Sequence, residues 1–471
     1  MSLRLIIAVM VGKLAIFFSR IAGNQGTDFP GQLARRIYSP ILSDLAEHIN
    51  SGIIIVTGTN GKTTTSNMMA EIFRENGNTY VHNRAGANML TGITTAFIKA
   101  TNLSGTRSFD YALLETDEAN VPLLLQEVEA TVLLVTNFFR DQLDRFGELD
   151  YTVNLIKNAV QGHRLELILN ADDPLQSDFE MRTGLKCWYY GFDDTVYDEL
   201  TSADSREGRY CVFCGHELSY ERYHYAQLGQ YRCPDCANHN PAADFTGHRL
   251  EMDPGIRFAV NQLDLQSSYQ GFYNAYNILA AVAMGKHLGI DDDVIRSAIL
   301  NYQPRAGRME KFIIGGKPCL LVLVKNPTGL NQSLNMLALD PAQKSLFFAL
   351  NDNAADGRDI SWIWDADIEA VTRPEARIGK IICSGQRSGD IALRFKYAGF
   401  DTGRIRIESR LQEGIALTIA EESEAAFILC TYTALFTCRQ IMLKMQKQSG
   451  GAAQAKSQQE YRQQQRGGEE A

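Results

Sequence analysis

The stretch from Ile53 to Phe73 constrains the fold of this chain more than any other. Its first four residues are apolar and mostly β-branched, which predicts a short buried strand, and its last eight have helical spacing. Between them lies the glycine-rich segment Gly58-Thr-Asn-Gly-Lys-Thr63. Small residues let backbone N–H groups close around an anion, and a helix start adds the positive end of its dipole. The usual pattern has a glycine where this chain has Val56, but the flanking strand and helix favour a nucleotide-binding loop over a bland loop of the same letters.

The individual residues of this segment have separate expected roles. A lysine in such a loop reaches the terminal phosphates, so we expect Lys62 to be catalytic as well as nucleotide-binding. The hydroxyl that follows it, on Thr63, is expected to contact Mg²⁺. The full set predicted to hold the nucleotide is Gly58, Thr59, Asn60, Gly61, Lys62 and Thr63.

A second strand predicts the other half of a magnesium site. The apolar run that begins at Phe109 ends directly before Glu115, Asp117 and Glu118. Carboxylates at the carboxyl end of a strand beside a phosphate loop hold Mg²⁺ or its water shell. Glu115 is therefore the leading candidate for the metal and for catalysis, and a solvated acidic turn is the alternative.

Length and composition predict several domains. A chain of 471 residues exceeds one hydrophobic core, and its 45% hydrophobic and 21% charged residues are typical of a globular enzyme. The net charge of −9 argues against a nucleic-acid-binding protein. Strands that alternate with helices after the glycine-rich loop predict a doubly wound α/β sheet. We expect an N-terminal helical segment (1–50), a central nucleotide domain (51–305) with an insertion at about 205–240, a second α/β domain (306–446) and a disordered tail (447–471).

The N-terminal 21 residues form an apolar segment that superficially resembles an export signal. Lys13 interrupts the apolar run, no small-residue cleavage site follows, and neither half is long enough to span a bilayer. We expect an amphipathic helix that packs on the protein or contacts the membrane surface, in preference to a cleaved signal peptide.

Four of the nine cysteines have metal-ligand spacing. Two Cys-x-x-Cys knuckles lie eighteen residues apart, which is the pattern of a tetrahedral zinc ribbon. Because four thiolates leave no open position, the zinc would be structural. Disulfide pairing is the alternative, but the scattered remaining cysteines suit a reducing cytosol. The predicted ligands are Cys211, Cys214, Cys233 and Cys236, whereas His216, His224 and His239 are expected to be ordinary surface histidines.

Two further segments carry polar side chains that suit a nucleotide site. Asn274 and Asn277 lie three apart, hence on one face of a predicted helix, where amides could read a purine edge or simply cap and pack. The segment 303–310 is expected to be a linker, from which Arg308 could reach phosphates.

Together these residues resemble the ATP-dependent Mur ligases of cell-wall synthesis. The resemblance rests on Gly58–Thr63, Glu115, Thr136-Asn137 with Asp141 and Asp144, Asn274-x-x-Asn277 and Arg308. Within that family, the chain is similar to the MurT family, the synthetase subunits of lipid II isoglutaminyl synthase. The particular features are the four-cysteine insert, Lys325-Asn-Pro327 and the loop from Asp356 to Trp364. The resemblance covers nearly the whole chain apart from the tail.

Two departures from the peptide-adding Mur ligases are informative. Where those enzymes usually carry Asp-x-x-His-x-Pro, this chain has Val322-Leu-Val-Lys-Asn-Pro327. Where they have a histidine after the aspartate of the Thr-Asn motif, it has Gln142. Both changes argue against an incoming amino acid and fit ammonia as the nucleophile.

The resemblance implies a fold and an activity. The fold would be a Mur-ligase-like central P-loop ATPase domain with a zinc-ribbon insertion, plus a C-terminal Rossmann-like α/β domain. The activity would be ATP-dependent amidation of the α-carboxylate of D-Glu in the lipid II stem peptide, through an acyl phosphate, at the inner face of the cell membrane. ATP, Mg²⁺ and a structural Zn²⁺ are the implied cofactors, with Asn274 near the adenine and Arg308 neutralising the moving phosphoryl group.

The resemblance also implies a partner. Ammonia would come from a glutaminase subunit, GatD, in a heterodimer, and Asp359 would complete the Cys-His pair of that partner, in preference to Asp352, Asp356 or Asp365. The alternatives are a stand-alone Mur-type ligase that joins an amino acid, and a nucleotide-binding zinc-ribbon scaffold without catalysis.

Overall fold

A computed structural model describes residues 2–21, 26–84, 87–140, 149–200, 207–303, 308–353 and 355–467, with only the backbone at Arg308, Leu339 and 450–467. These residues form two compact units, one that ends at Gln303 and one that begins at Arg308.

The first unit is organised around a nine-stranded sheet with the order β11-β10-β9-β6-β5-β4-β1-β3-β2. All neighbours are parallel from β2 to β9, and β10 and β11 add an antiparallel edge. A separate hairpin of β7 and β8 lies within the insertion. The strands are β1 (Ile49–Thr57), β2 (Tyr80–His82), β3 (Phe109–Glu115), β4 (Val132–Val135), β5 (Glu166–Asn170), β6 (Cys187–Phe192), β7 (Ser219–Tyr225), β8 (Leu228–Arg232), β9 (Phe245–Glu251), β10 (Ile256–Val260) and β11 (Leu263–Ser267).

Helices cover both faces of this sheet. The first-unit helices are α1 (Leu3–Ile21), α2 (Phe29–Ile37), α3 (Ile41–Ala46), α4 (Lys62–Glu75), α5 (Leu90–Ala100), α6 (Val121–Leu125), α7 (Leu149–Val160), α8 (Phe179–Thr183), α9 (Phe272–His287) and α10 (Asp292–Asn301). Side chains of β1 alternate between the two cores because successive residues of a strand point to opposite faces. Ile54 and Val56 pack with α4, α9 and α10, whereas Ile53 and Ile55 pack with α1, α2, α3 and α5.

The second unit has a six-stranded sheet with the order β12-β13-β17-β14-β15-β16, parallel except for the β12–β13 hairpin. Buried side chains fill both of its faces. Its strands are β12 (Arg308–Ile314), β13 (Lys317–Leu323), β14 (Lys344–Ala349), β15 (Ile378–Ser384), β16 (Ile405–Ile407) and β17 (Ala425–Cys430). Its helices are α11 (Pro327–Leu339), α12 (Ser388–Tyr397), α13 (Leu411–Ala420) and α14 (Tyr432–Gly467).

The predicted α/β class is confirmed, but three details differ from the sequence expectations. The end of the expected linker, from Arg308 to Glu310, is the start of β12, which pairs with β13 across a turn at Gly315 and Gly316. The strands β6 and β9 were not anticipated. The segment 447–467, expected to be disordered, continues α14, because its Ala, Gln, Lys, Glu and Arg residues are good helix formers.

Within the described ranges, none of the helices is long and apolar enough to cross a bilayer.

Candidate active site

The glycine-rich loop is fixed by the segment that follows β4. Thr59 N donates to the Asn137 carbonyl at 2.9 Å, and Asn60 N donates to Asn137 Oδ1 at the same distance. Thr136 Oγ1 returns a hydrogen bond to the Asn60 carbonyl at 2.7 Å. Because β1 and β4 are parallel neighbours, their carboxyl ends bring the loop and the Thr136-Asn137 pair together. The Thr-Asn motif therefore shapes the loop.

Both loop glycines are required by their surroundings. Gly58 and Gly61 have positive φ angles of 117° and 89°, which side chains rarely adopt. A Cβ atom on Gly58 would lie 2.4 Å from Thr136 Oγ1, and one on Gly61 would lie 2.0 Å from Asn277 Oδ1. The first turn of α4 can thus approach an anion through backbone N–H groups alone.

Lys62 begins α4 and is paired with a buried carboxylate. Its Nζ donates to both oxygens of Glu118 at 3.1 Å and to the Gly58 carbonyl at 2.5 Å. The Lys62 and Glu118 side chains are 8% and 3% exposed. Glu118 thus holds the predicted phosphate-binding lysine against the loop, a contact that spacing alone did not indicate.

The predicted magnesium residues meet beside this pair. Thr63 Oγ1 donates to Glu115 Oε1 at 2.8 Å, and Val56 of β1 lies opposite Glu115 of β3 in the sheet. Glu115 is held by Asn83, whose Oδ1 accepts from Glu115 N at 2.9 Å. The other carboxylate oxygen, Oε2, is buried and has no hydrogen-bond partner among the residues described. A buried carboxylate oxygen next to a hydroxyl suits a hard cation such as Mg²⁺, so the donor set fits this metal.

The two asparagines of α9 are buried rather than open to a ligand. Asn277 Nδ2 donates to Asn274 Oδ1 at 3.1 Å, and Asn274 Nδ2 donates to the Gln270 carbonyl at 2.8 Å. Asn277 contacts the phosphate loop through Gly61. The structure therefore gives Asn277 a packing role at the loop, and contact of Asn274 with adenine stays a prediction.

The four predicted zinc ligands form one cluster. The Sγ atoms of Cys211, Cys214, Cys233 and Cys236 all lie within 4.8 Å of one another. The closest pairs are 3.5 and 3.6 Å apart, too far for a disulfide. Asn238 Nδ2 and Cys236 N donate to two of the sulfurs at 3.4 Å, as second-sphere donors do at thiolate sites. Four converging thiols with these donors fit a closed tetrahedral zinc site.

The insertion that carries the cysteines also contacts the active-site segment. Gln227, at the turn between β7 and β8, donates to the Phe138 carbonyl and to Asp173. Asp173, which follows β5, accepts from Phe138 N at 2.8 Å. Burial raises the pKa of Asp173 to about 6. The β7–β8 hairpin is thus joined to the segment next to the Thr-Asn motif.

The expectation that His224 lies on the surface is wrong. Its side chain is buried, and its Nδ1 lies 2.7 Å from Asp198 Oδ1. Burial lowers the pKa of His224, but the hydrogen bond to Asp198 and the charge of Asp172 outweigh it, so the pKa lies above its usual value. His216 and His239 are exposed as expected. In the part of the chain that the structure describes, no histidine joins the cysteine cluster.

In the second unit, the four candidate aspartates have different surroundings. Asp356 is buried and accepts from Thr433 N and Oγ1, and Asp352 pairs with Arg387 at 2.7 Å. Asp359 is partly exposed and accepts from Ser361 N at 2.8 Å, while Asp365 is exposed. Asp356 thus serves local structure, whereas Asp352 and Asp359 are partly exposed and Asp365 is exposed.

Several predicted residues are not placed. The side chain of Arg308 and the residues Asp141, Gln142 and Asp144 lie outside the described part. Lys325-Asn-Pro327 leads into α11, where the capping residue Asn326 accepts a hydrogen bond from Gly329 N at 2.9 Å and Pro327 is the first helical residue.

From the sequence, Glu118 had only a minor expected role in metal binding, and Asn83 had no expected role. A buried lysine in the loop demands a carboxylate partner, which is the only signal that could have indicated Glu118. Asn83 lies in a small-residue loop after β2, and only the sheet order brings it beside Glu115.

Comparisons with known proteins show the family to which the chain belongs. The family model of the Mur ligase middle domain matches residues 56–234, and that of the MurT ligase C-terminal domain matches residues 323–435. A relative from Staphylococcus aureus (strain COL), named lipid II isoglutaminyl synthase (glutamine-hydrolyzing) subunit MurT, is 39% identical over 83% of this chain and 87% of its own. The protein of that name from Streptococcus pneumoniae (strain ATCC BAA-255 / R6) is 35% identical over 95% of this chain and 98% of its own.

Solved structures share the fold. A pseudomurein peptide ligase type C from Methanothermus fervidus has a TM-score of 0.66 at 21% identity, over 85% of this chain and 80% of that one. MurF from Acinetobacter baumannii has a TM-score of 0.61 at 14% identity, over 88% and 80%. The sequence relatives and both family models together show that the chain belongs to the MurT family of the ATP-dependent Mur ligases.

Proposed function

We propose that this chain is the ATP-dependent synthetase subunit of a lipid II isoglutaminyl synthase. It would convert the α-carboxylate of D-Glu in the lipid II stem peptide to a carboxamide, with ammonia from a glutaminase partner of the GatD type, at the inner face of the cell membrane. The names of the MurT relatives support the substrate. The observation that carries the chemistry is the Thr63–Glu115 pair, with its unsatisfied carboxylate oxygen, next to Lys62 at the start of α4.

Each residue of the phosphate site has a distinct task in this proposal. Backbone N–H groups of the loop and the start of α4 bind the phosphates, and Lys62 donates to the terminal ones. Thr63 and Glu115 would hold Mg²⁺, which when bound neutralises charge on the phosphate oxygens. Arg308 would add a further positive charge as the γ-phosphoryl group moves.

The reaction then has two displacements. A carboxylate oxygen of D-Glu attacks the γ-phosphorus, the bond to the bridging oxygen of ADP breaks, and an acyl phosphate forms. The nitrogen of ammonia attacks the acyl carbon, the carbon–oxygen bond to phosphate breaks with its electron pair leaving on phosphate, and the nitrogen loses a proton. Ammonium predominates at neutral pH, which is why a partner that releases ammonia next to the site is needed.

The second unit would contribute to that partner's chemistry. A carboxylate that orients the histidine of a Cys-His pair must be accessible to another chain. Asp359 is partly exposed on the loop before Trp364, whereas Asp356 is buried in its bonds to Thr433. We assign Asp359 to the partner's triad because the MurT resemblance favours it, and the competing carboxylates are Asp352, which is partly exposed, and Asp365, which is exposed.

The test is amidation by the co-purified complex, followed by mass analysis of the stem peptide. We expect conversion of one carboxyl group with either glutamine or ammonium chloride as nitrogen source. Lys62→Ala should abolish both reactions, since it removes the phosphate contact. Asp359→Asn should abolish only the glutamine-dependent reaction.

Asp365→Asn is the matched control, because Asp365 is an exposed aspartate close by in sequence. It should retain both activities. Equal loss of the glutamine and ammonium reactions in Asp359→Asn would refute the partner role. Incorporation of an added amino acid instead of ammonia would identify a stand-alone peptide ligase and refute the amidation itself.

A further inference from the structure

The helix α1 has two apolar faces, of which only one is buried. Its inner face packs against α2 and α5 through Leu5, Ala8, Val9, Gly12, Ala15 and Ile16. The packing is close, since a Cβ on Gly12 would lie 2.9 Å from the Ile98 side chain. The opposite face carries seven large apolar side chains that are 43% to 72% exposed. This α1 stripe consists of Leu3, Ile7, Met10, Leu14, Phe17, Phe18 and Ile21.

The stripe is continuous along the whole helix. Its members follow one another at intervals of three, four or one residues, which keeps them on one face of a helix. Nineteen residues of helix extend over roughly 28 Å at 1.5 Å per residue. Single exposed apolar residues are ordinary, but a contiguous apolar surface of this length marks an interaction site.

The charged residues of α1 itself are all positive. Helical rotation places Arg4 on one flank and Lys13 and Arg20 on the other, each roughly 100° from the centre of the stripe. Arg4 and Arg20 are exposed, and α1 contains no acidic residue. Residues 1–40 carry five Lys and Arg against a single Asp, in a chain with 46 Lys and Arg against 55 Asp and Glu. The positive charge is therefore local to this end of an acidic protein.

We propose that the α1 stripe docks lengthwise into the interface of an anionic phospholipid bilayer. The seven side chains would enter the boundary between head groups and acyl chains, while the exposed Arg4 and Arg20 contact lipid phosphates. The helix would lie on the bilayer rather than cross it, because its other face is bound to the protein and Lys13 interrupts its centre. A second copy of the chain fits less well, since two packed stripes would place the cations of both α1 helices along one seam with no acidic residue from either helix.

This surface goes beyond the proposed amidation, because it needs neither ATP nor lipid II to operate. Its consequence for catalysis would be to hold the first unit at the membrane where a lipid-linked acceptor resides. Binding of the protein to vesicles and turnover can therefore fail independently.

The test is flotation of the full chain with its partner subunit on vesicles that contain no lipid II. We expect binding to vesicles of phosphatidylglycerol and phosphatidylcholine, and much weaker binding to phosphatidylcholine alone. The double variant Phe17→Ser/Phe18→Ser should bind the anionic vesicles at least about tenfold more weakly, since each phenyl ring removed lowers the apolar contact. Arg4→Glu/Arg20→Glu should remove the preference for anionic lipid.

The matched control is Val196→Ser/Leu200→Ser, which removes two apolar side chains that are 87% and 83% exposed elsewhere in the first unit. This control should bind vesicles as strongly as the unaltered protein. All variants should have the melting temperature of the unaltered protein. Failure of the unaltered protein to float, or equal binding by the control and the phenylalanine variant, would overturn the proposal. So would a dimer, seen by light scattering, that the phenylalanine variant dissociates.

Discussion

The approach of Gly61 to Asn277 allows a quantitative test of the phosphate loop. In Gly61→Ala, the new Cβ would start 2.0 Å from Asn277 Oδ1, whereas ordinary contact begins at 3.4 Å. One of the two groups must therefore retreat by about 1.4 Å. Either the loop moves away from α9, or the Asn277 amide leaves its buried position against Asn274.

The free-energy cost has two parts that can be separated. Holding alanine at a φ of 89° costs roughly 1–2 kcal/mol. Displacing the Asn277 amide breaks its 3.1 Å hydrogen bond to Asn274 in a buried position, which costs about 1–3 kcal/mol more. Gly77→Ala, beyond the other end of α4, isolates the first part, because Gly77 has a φ of 74° and no atom near its potential Cβ.

The free energy of unfolding of the first unit is measured by urea unfolding with pulsed hydrogen exchange on peptides of β1 and β3. Gly61→Ala should lose about 1–3 kcal/mol more than Gly77→Ala. In an Asn277→Ala background, the alanine at 61 should cost no more than the alanine at 77. If the loop is the group that retreats, ATP affinity should fall at least about tenfold in Gly61→Ala, because phosphate-binding N–H groups move, whereas Gly77→Ala should leave it unchanged.

Equal losses of stability in the two glycine variants would refute the close approach to Asn277. Unchanged ATP affinity in Gly61→Ala would show that the Asn277 amide, and not the loop, retreats.

Three further predictions follow from the site. Thr63→Val should raise the Mg²⁺ concentration that gives half-maximal activity at least about tenfold, since it removes a ligand hydroxyl. The control Thr65→Val, on the same helix, should leave that concentration unchanged. Equal effects of the two substitutions would contradict the metal role of Thr63. Cys211→Ser, or removal of metal by a chelator, should lower the melting temperature of the first unit and release zinc measurable by elemental analysis, and absence of zinc in the purified protein would contradict the ribbon. Because folding raises the pKa of His224 and lowers that of Asp198, the pair contributes its full stability between the unfolded-state pKa values of the two groups, and it loses this contribution as pH rises from the unfolded-state to the folded-state pKa of His224. His224→Gln should remove this alkaline loss in pH-dependent melting curves.

Much of the architecture follows from local sequence signals. The sequence around Lys62 predicts a strand, a glycine-rich loop and a helix in that order. The fold has β1 and α4 at those positions, with the loop between them. The cysteine knuckles likewise lie in one cluster because each pair is short-range and the hairpin between them is local. By contrast, β6 and β9 are adjacent in the sheet although the insertion separates them in sequence, so no local pattern could have paired them.

The sequence by itself determined the loop, the order of its chemical groups and the two knuckles, because these depend on neighbours within a few residues. Only the tertiary structure decided the partners that the chain supplies from far away: Glu118 on Lys62, Asn137 on the loop, and Asn277 against Gly61. It also decided that one face of α1 is buried while the other is exposed, a distinction that a helix apolar on both faces cannot encode. The physical reason is that hydrophobicity and propensity act locally, whereas the pairing of buried polar groups depends on which strands and helices become neighbours in the sheet.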